Sequence, residues 1–168
     1  MCVDAQVIAA VNGPAVGIGV TLLPHCDVVY ASTTSSFWTP FSRIAVVPEF
    51  CSSVTFPAIM GMSRANEMLL LGKQFSATDA LACGLVSKLI PPADLMREVM
   101  KTAVEAVTYP LAAKSLKIFK KLVRNEDYMK LMMRVFEEEM EVLQERMNNG
   151  DTATAVMALM EARTKAKL

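Results

Sequence analysis

Residues 7–19, VIAAVNGPAVGIG, constrain the fold of this chain more than any other stretch. Residues 7–11 are apolar with β-branched ends, which predicts a short buried strand. Asn12-Gly13-Pro14 breaks that strand. Gly17-Ile18-Gly19 then opens a helix expected over residues 17–23, stopped by Pro24. Where a strand turns into a helix, backbone N–H groups point outward, and glycine lets a ligand approach them. The N–H of Ile18 is therefore a candidate donor to an oxyanion, aided by the positive end of the helix dipole. Glycines at such a turn also serve close packing alone, and the residues leave both readings open. Two phosphate-binding loops are disfavoured. Leu22 stands where a dinucleotide fingerprint needs its third glycine, and no P-loop lysine follows.

A second feature lies downstream. Pro48-Glu49 sets one carboxylate in an apolar stretch, just before Cys51-Ser52-Ser53. Glu49 reads either as a first-turn helix residue favoured by the dipole or as a general base. In the second reading its pKa rises because Val46, Val47, Phe50 and Val54 surround it. Amide donors and a dehydrated carboxylate are together what is needed to move a proton beside a polarised carbonyl. The single histidine, His25, follows Pro24 at a helix end, where a satisfied structural role outweighs a catalytic one. With no other histidine, a Ser-His-Asp triad is disfavoured.

Charge and composition narrow the partners. The 17 Lys and Arg residues equal the 17 Asp and Glu residues, which gives no reason to expect nucleic acid or an anionic membrane. The longest apolar runs are far too short to span a bilayer, and the start carries no secretory pattern. The four cysteines, Cys2, Cys26, Cys51 and Cys83, are scattered without ligand spacing. They read as reduced, mostly buried thiols of an intracellular protein, and no metal is expected.

The remaining pattern predicts one α/β domain. Residues 27–31 and Phe37-Trp38 read as strands, as do residues 85–90. Ser63 can cap a helix to Leu71 with Gly72 behind it, and Ser76 with Asp79 resembles a capping box for a short helix ending at Gly84. Helices follow over residues 93–108, 111–125, 127–147 and 151–165, separated by Pro110, Asn125 and Asn148-Asn149-Gly150. Residues 1–92 thus form a mixed core that carries the candidate site. Residues 93–168 form a helical layer of the same domain, suited to oligomer contacts. Met129, Met132, Met133, Met140 and Met147 share one helix and suggest a core or subunit-interface stripe, with a peptide groove as the lesser alternative. Glu137-Glu138-Glu139 suggests a solvated face rather than a metal site, since consecutive helical positions diverge.

Residues 7–19, 26–32 (CDVVYAS), 37–42 (FWTPFS), 48–57 (PEFCSSVTFP) and 66–84 together resemble the crotonase superfamily, the enoyl-CoA hydratase/isomerase fold. Within it the chain is most similar to the peroxisomal Δ3,Δ2-enoyl-CoA isomerase branch, over nearly its whole length. The resemblance implies stacked ββα turns with a helical C-terminal layer. It implies a thioester carbonyl held between two backbone N–H groups, of which this chain keeps that of Ile18. Gly17, Gly19, Pro40 and Phe41 fall at substrate-binding positions. The two glutamates of hydratases are replaced by Thr21 and Phe41, which disfavours water addition; the isomerase glutamate matches Glu49. The implied reaction converts a 3-enoyl-CoA into the 2-trans-enoyl-CoA of fatty acid β-oxidation, with coenzyme A as substrate carrier and no other cofactor. Homotrimers, or dimers of trimers, are implied as well.

The sequence departs from that pattern twice. Phe50 stands where the isomerase branch has glycine, and so bulky a side chain could narrow or re-aim the pocket. The family's N-terminal strands, which supply the second oxyanion donor and much of the CoA cradle, have no counterpart, so a truncated ββα spiral is expected. Losing one such donor typically lowers a rate about a hundred- to a thousand-fold, so feeble activity is expected. Two alternatives to the enzyme are a non-catalytic acyl-CoA-binding module like that of chromodomain Y-like co-repressors, and an inactive truncated product that joins trimers. Ala166-Lys167-Leu168 resembles the C-terminal peroxisomal address Ser-Lys-Leu. That makes the peroxisome the expected compartment; a frayed basic helix end is the plain alternative, with a mitochondrial or cytoplasmic location.

Overall fold

The computed structural model describes residues 5–165; Cys2 and the Ala166-Lys167-Leu168 tripeptide lie outside them. The chain alternates between two small sheets. β1 (Ile8–Val11), β3 (Val28–Ser32) and β6 (Lys88–Ile90) form one sheet in the order β1-β3-β6, all parallel, with Ile8 opposite Val28 and Tyr30 opposite Lys88. β2 (Pro14–Val16), β4 (Ser36–Trp38) and β5 (Phe75–Ser76) form the other. There β2 runs parallel to β4 and β5 antiparallel to it. Each of the first two turns thus lays one strand in each sheet before a helix follows, which is the expected ββα spiral.

The helices of the front half are α1 (Ile18–Thr21), α2 (Ser52–Leu69) and α3 (Ala77–Ala82). Phe37, Phe56, Phe75 and Met68, all fully buried, bind α2 to the second sheet in the main core. α4 (Leu95–Glu105) covers the parallel sheet, with Leu95 and Val99 packed on Ile90, Ile8 and Tyr30. α5 (Ala112–Val123), α6 (Glu126–Asn148) and α7 (Asp151–Lys165) complete the helical layer. α5 buries none of its residues fully. Charge docks it instead: Lys120 Nζ lies 2.7 Å and Arg124 Nη2 3.4 Å from the Asp27 carboxylate, and Arg124 also donates to the carbonyls of His25 and Cys26. α6 meets α2 through Met132 and Val135 against Cys51.

Local signals held where they were complete. Ser76 Oγ accepts the Asp79 amide at 3.1 Å while Asp79 accepts the Ser76 amide, a full capping box, and Gly84 ends the turn with φ 82°. Elsewhere the structure corrects the reading. Pro14–Val16 is a strand, because residues 36–38 supply its hydrogen-bonding edge. The helix expected at residues 17–23 shortens to Ile18–Thr21 and tightens to a 3-10 turn at Leu23–His25. α2 breaks at Gly61 (φ 76°, ψ 157°): the segment after it, ending at Leu69, is the helix expected from Ser63, and a further helical segment from Ser52 precedes it. The methionine stripe divides: Met132 is core, whereas Met133, Met140 and Met147 are exposed. Of the described cysteines, Cys51 is buried, Cys26 and Cys83 are half-buried, and all three are free thiols. Among the described residues no helix is long and apolar enough to cross a membrane, and no cluster of potential ligands could hold a metal ion.

Candidate active site

Gly17 joins β2 to α1 with φ 55° and ψ −120°, a conformation that favours glycine. Its N–H donates to the Trp38 carbonyl at 2.9 Å, which anchors the turn to β4. The next amide, that of Ile18, has no acceptor among the described residues. α1 is a single turn, so this donor acts as an individual N–H rather than through a long helix dipole. The side chains of Val16, Ile18 and Leu22 stand exposed around it. Gly19 is exposed as well, and a Cβ there would meet only the Ala15 Cβ, at 3.8 Å.

Glu49 reaches this turn from a separate loop. Its Oε1 lies 3.9 Å from the position a Cβ would take on Gly17. The carboxylate and the Gly17–Ile18 peptide, more than thirty residues apart in sequence, are therefore neighbours in space. Burial pushes the Glu49 carboxyl above its ordinary value, and the negative charge of Glu139 pushes it further in the same direction. Of the apolar neighbours expected from sequence, Val46 packs on the main core and Val54 on the Cys51–Met132 cluster. The Phe50 ring meets His25 and Phe136 edge-on, at 4.8 and 6.4 Å between centroids.

The loop that presents Glu49 is strained. Ala45, Phe50 and Cys51 all have left-handed backbone, with φ of 51°, 56° and 62°. Each such residue costs about 1–2 kcal/mol and persists only where its surroundings hold it. Here they do. The Ala45 carbonyl accepts Arg146 Nε at 2.8 Å and Thr152 Oγ1 at 3.3 Å. The Phe50 carbonyl accepts His25 Nε2 at 2.7 Å, which gives His25 the structural role expected of it. The Cys51 amide donates to Glu139 Oε2 at 2.7 Å; Glu139 Oε1 takes the Ser53 amide at 3.0 Å and the Ser53 hydroxyl at 2.6 Å.

Glu139 is the residue that sequence reasoning missed. It is 8% exposed, unlike Glu137 and Glu138 beside it, so the acidic run is not one solvated face. The signal was present: Met132, Val135 and Glu139 follow the i, i+3, i+7 spacing of one helix face, and that face points inward. Pro40 is half-buried and starts the 3-10 turn Phe41–Arg43. Phe41 is 3% exposed and belongs to the main core. Thr21 is fully buried, and its Oγ1 has no partner among the described residues.

Comparison with known proteins gives a consistent result. A family model described as enoyl-CoA hydratase/isomerase matches residues 1–166. Human enoyl-CoA delta isomerase 2 is 43% identical over 158 residues, covering 94% of this chain and 39% of that protein. Mouse peroxisomal enoyl-CoA delta isomerase 3 is 41% identical over 162 residues, covering 96% of this chain and 50% of that protein. Rat chromodomain Y-like protein is 48% identical over 94 residues, covering 56% of this chain and 16% of that protein. The crystal structure of an enoyl-CoA hydratase/isomerase from Pseudoalteromonas atlantica superposes with a TM-score of 0.89 at 32% identity, covering 95% of this chain and 63% of that one. The chain thus spans at most half the length of the two isomerases it matches.

Proposed function

We propose that this chain, which belongs to the enoyl-CoA hydratase/isomerase family and has its crotonase-like fold, moves the double bond of a 3-enoyl-CoA to give 2-trans-enoyl-CoA. The observation that carries this reading is the approach of the Glu49 carboxylate to the Gly17–Ile18 peptide, whose Ile18 amide is free to bind an anion. Glu49 takes a proton from C2 of the substrate, and the electrons delocalise over the thioester and the double bond as a dienolate. The Ile18 N–H stabilises the oxygen that becomes negative, an interaction stronger in the transition state than in the ground state. The protonated Glu49 then returns the proton to C4, so the atoms balance with no water added. A carboxyl raised by burial and by Glu139 suits both steps, because its affinity for the proton lies nearer that of the carbon acid. The exposed side chains of Val16, Ile18 and Leu22 offer apolar contact for an acyl chain. Thr21 and Phe41 supply no carboxylate, and the nearby carboxylate of Glu139 is taken up by Cys51 and Ser53, so a second base to activate water is wanting.

The names of the isomerase relatives support the same chemistry, and one of them supports the peroxisome as its place. Coenzyme A serves as the substrate's carrier, a step of fatty acid β-oxidation is served, and a homotrimer is the assembly we expect. The test is the appearance of 2-enoyl thioester absorbance when 3-enoyl-CoA is added. Glu49→Gln should lower the rate about a hundred-fold or more; an undiminished rate removes Glu49 from the mechanism.

A second reading is favoured by the likeness to rat chromodomain Y-like protein: a module that binds acyl-CoA, or a partner, without turnover. Binding of the thioester with no conversion, unaltered by Glu49→Gln, would establish it instead.

A further inference from the structure

We propose that Glu139 is the positioning residue of this site: from α6 its carboxylate takes the Cys51 and Ser53 amides and so fixes the left-handed turn that sets Glu49 against Gly17. This rests on the isomerase reading for its catalytic consequence, but its structural content stands apart from it.

The geometry is unusual for a helix start. α2 begins at Ser52 with Cys51 as its N-cap, yet Cys51 has φ 62° and contributes no side-chain cap bond. The orphan N–H groups of a first turn ordinarily go to a local Ser, Thr, Asp or Asn. Here the acceptor arrives from 86 to 88 residues along the chain. Glu139 spends both oxygens on this task, at 2.7, 3.0 and 2.6 Å, and is 8% exposed. Three charge-assisted bonds on one carboxylate exceed what packing of Met132 and Val135 on Cys51 requires. They fall on residues 51 and 53, directly after Glu49 and Phe50, so they act on the catalytic loop from its C-terminal side. His25 holds the Phe50 carbonyl at 2.7 Å.

Glu139 also sets the charge near Glu49. The other titratable or charged groups around this loop are His25 on the Phe50 carbonyl, the Cys51 thiol donating to the Met132 carbonyl, Tyr128 of α6 packed on the Cys51 cluster, and Arg146 on the Ala45 carbonyl, itself 3.6 Å from Asp151. Of these, only Glu139 acts on the Glu49 carboxyl strongly enough to join burial in raising it. One side chain therefore places the base and keeps its proton affinity high. A carboxamide at position 139 cannot do both, since its NH2 would face a backbone N–H.

The experiment is carboxyl-carbon NMR titration of Glu49, assigned with Glu49→Gln, in the parent protein and in Glu139→Gln, with amide exchange at Cys51 and Ser53 read on the same samples. Removal of the Glu139 charge should move the Glu49 titration to lower pH, and exchange at both amides should accelerate at least ten-fold. Glu139→Asp, which keeps the charge on a shorter arm, should restore part of both and serves as the deciding variant should Glu139→Gln fail to fold. Unchanged Glu49 titration and unchanged amide exchange in a folded variant would overturn the proposal. Turnover of 3-enoyl-CoA is measured in parallel. A rate about a hundred-fold lower in Glu139→Gln, with the acid limb of its pH profile displaced alongside the NMR value, completes the case. A shifted Glu49 titration with no turnover in any variant leaves Glu139 as the positioning residue and refutes the isomerase instead.

Discussion

Replacing Phe50 should reverse the usual order of glycine and alanine. The residue sits at φ 56°, where a Cβ is crowded and glycine is free of strain, at about 1–2 kcal/mol. Against that stands its ring, half-buried and edge-on to His25 and Phe136. Full removal of a buried phenylalanine ring costs about 3–5 kcal/mol; for a half-buried one about 2 kcal/mol is reasonable. Phe50→Ala loses the ring and keeps the strain, so it should destabilise by about 2 kcal/mol. Phe50→Gly loses the ring, sheds the strain and adds about 0.5–1 kcal/mol of unfolded-state entropy. It should therefore be the more stable of the two by about 0.5–1 kcal/mol. Urea unfolding followed by circular dichroism at fixed pH resolves such a gap when the slopes agree, because a protein of this size loses about 2 kcal/mol per molar urea. An alanine variant as stable as the glycine variant, or more so, would show that the left-handed turn carries no strain and would undo the account of how Glu49 is held. The ring itself points at His25 and Phe136, which is how so bulky a residue is accommodated directly after Glu49.

Asp27 joins Lys120 Nζ, Arg124 Nη2 and the Val7 amide in a poorly solvated cluster. Asp27→Ala should cost about 3 kcal/mol by leaving the Val7 amide without its acceptor and two poorly solvated cations, still bonded to backbone carbonyls, without their counter-charge. Because α5 has no fully buried residue, the loss should appear first as faster hydrogen exchange in Ala112–Val123; unaltered exchange there would refute the charge-docking argument. Glu49 makes a pH-dependent contribution of calculable sign. Burial and the charge of Glu139 hold its folded pKa above the ordinary carboxyl value, so the fold binds the proton more tightly than the unfolded chain does. That stabilisation is complete below the unfolded pKa and fades as pH rises through the folded one. The stability of Glu49→Gln relative to the parent should hence climb over that window and be flat below it, as denaturation at a series of pH values would show; a difference independent of pH contradicts it.

The elements legible in the sequence are those whose causes lie within a few residues. The capping box of Ser76 and Asp79 is complete within one helical turn. The starts and stops of the four C-terminal helices, at Pro110, Asn125 and Asn148-Asn149-Gly150, are likewise local, and the structure keeps them to within a few residues. The strand at Ile8–Val11 and the glycine turn after it follow from an apolar run and one residue that tolerates positive φ. The crotonase pattern of residues 7–19 and 48–57 identified the fold because those motifs encode local backbone shapes.

What only the tertiary structure decided are the elements whose partners are distant. Pro14–Val16 is a strand solely because Ser36–Trp38 lies beside it. The segment of α2 that begins at Ser52, ahead of the break at Gly61, has its first amides taken by Glu139, and no local residue announces an acceptor that comes from another helix. Three consecutive glutamates look alike until docking turns one of them inward. A sequence specifies which groups can satisfy one another, but backbone donors accept any well-placed oxygen, so the choice among distant oxygens is made by the packing that brings them within reach.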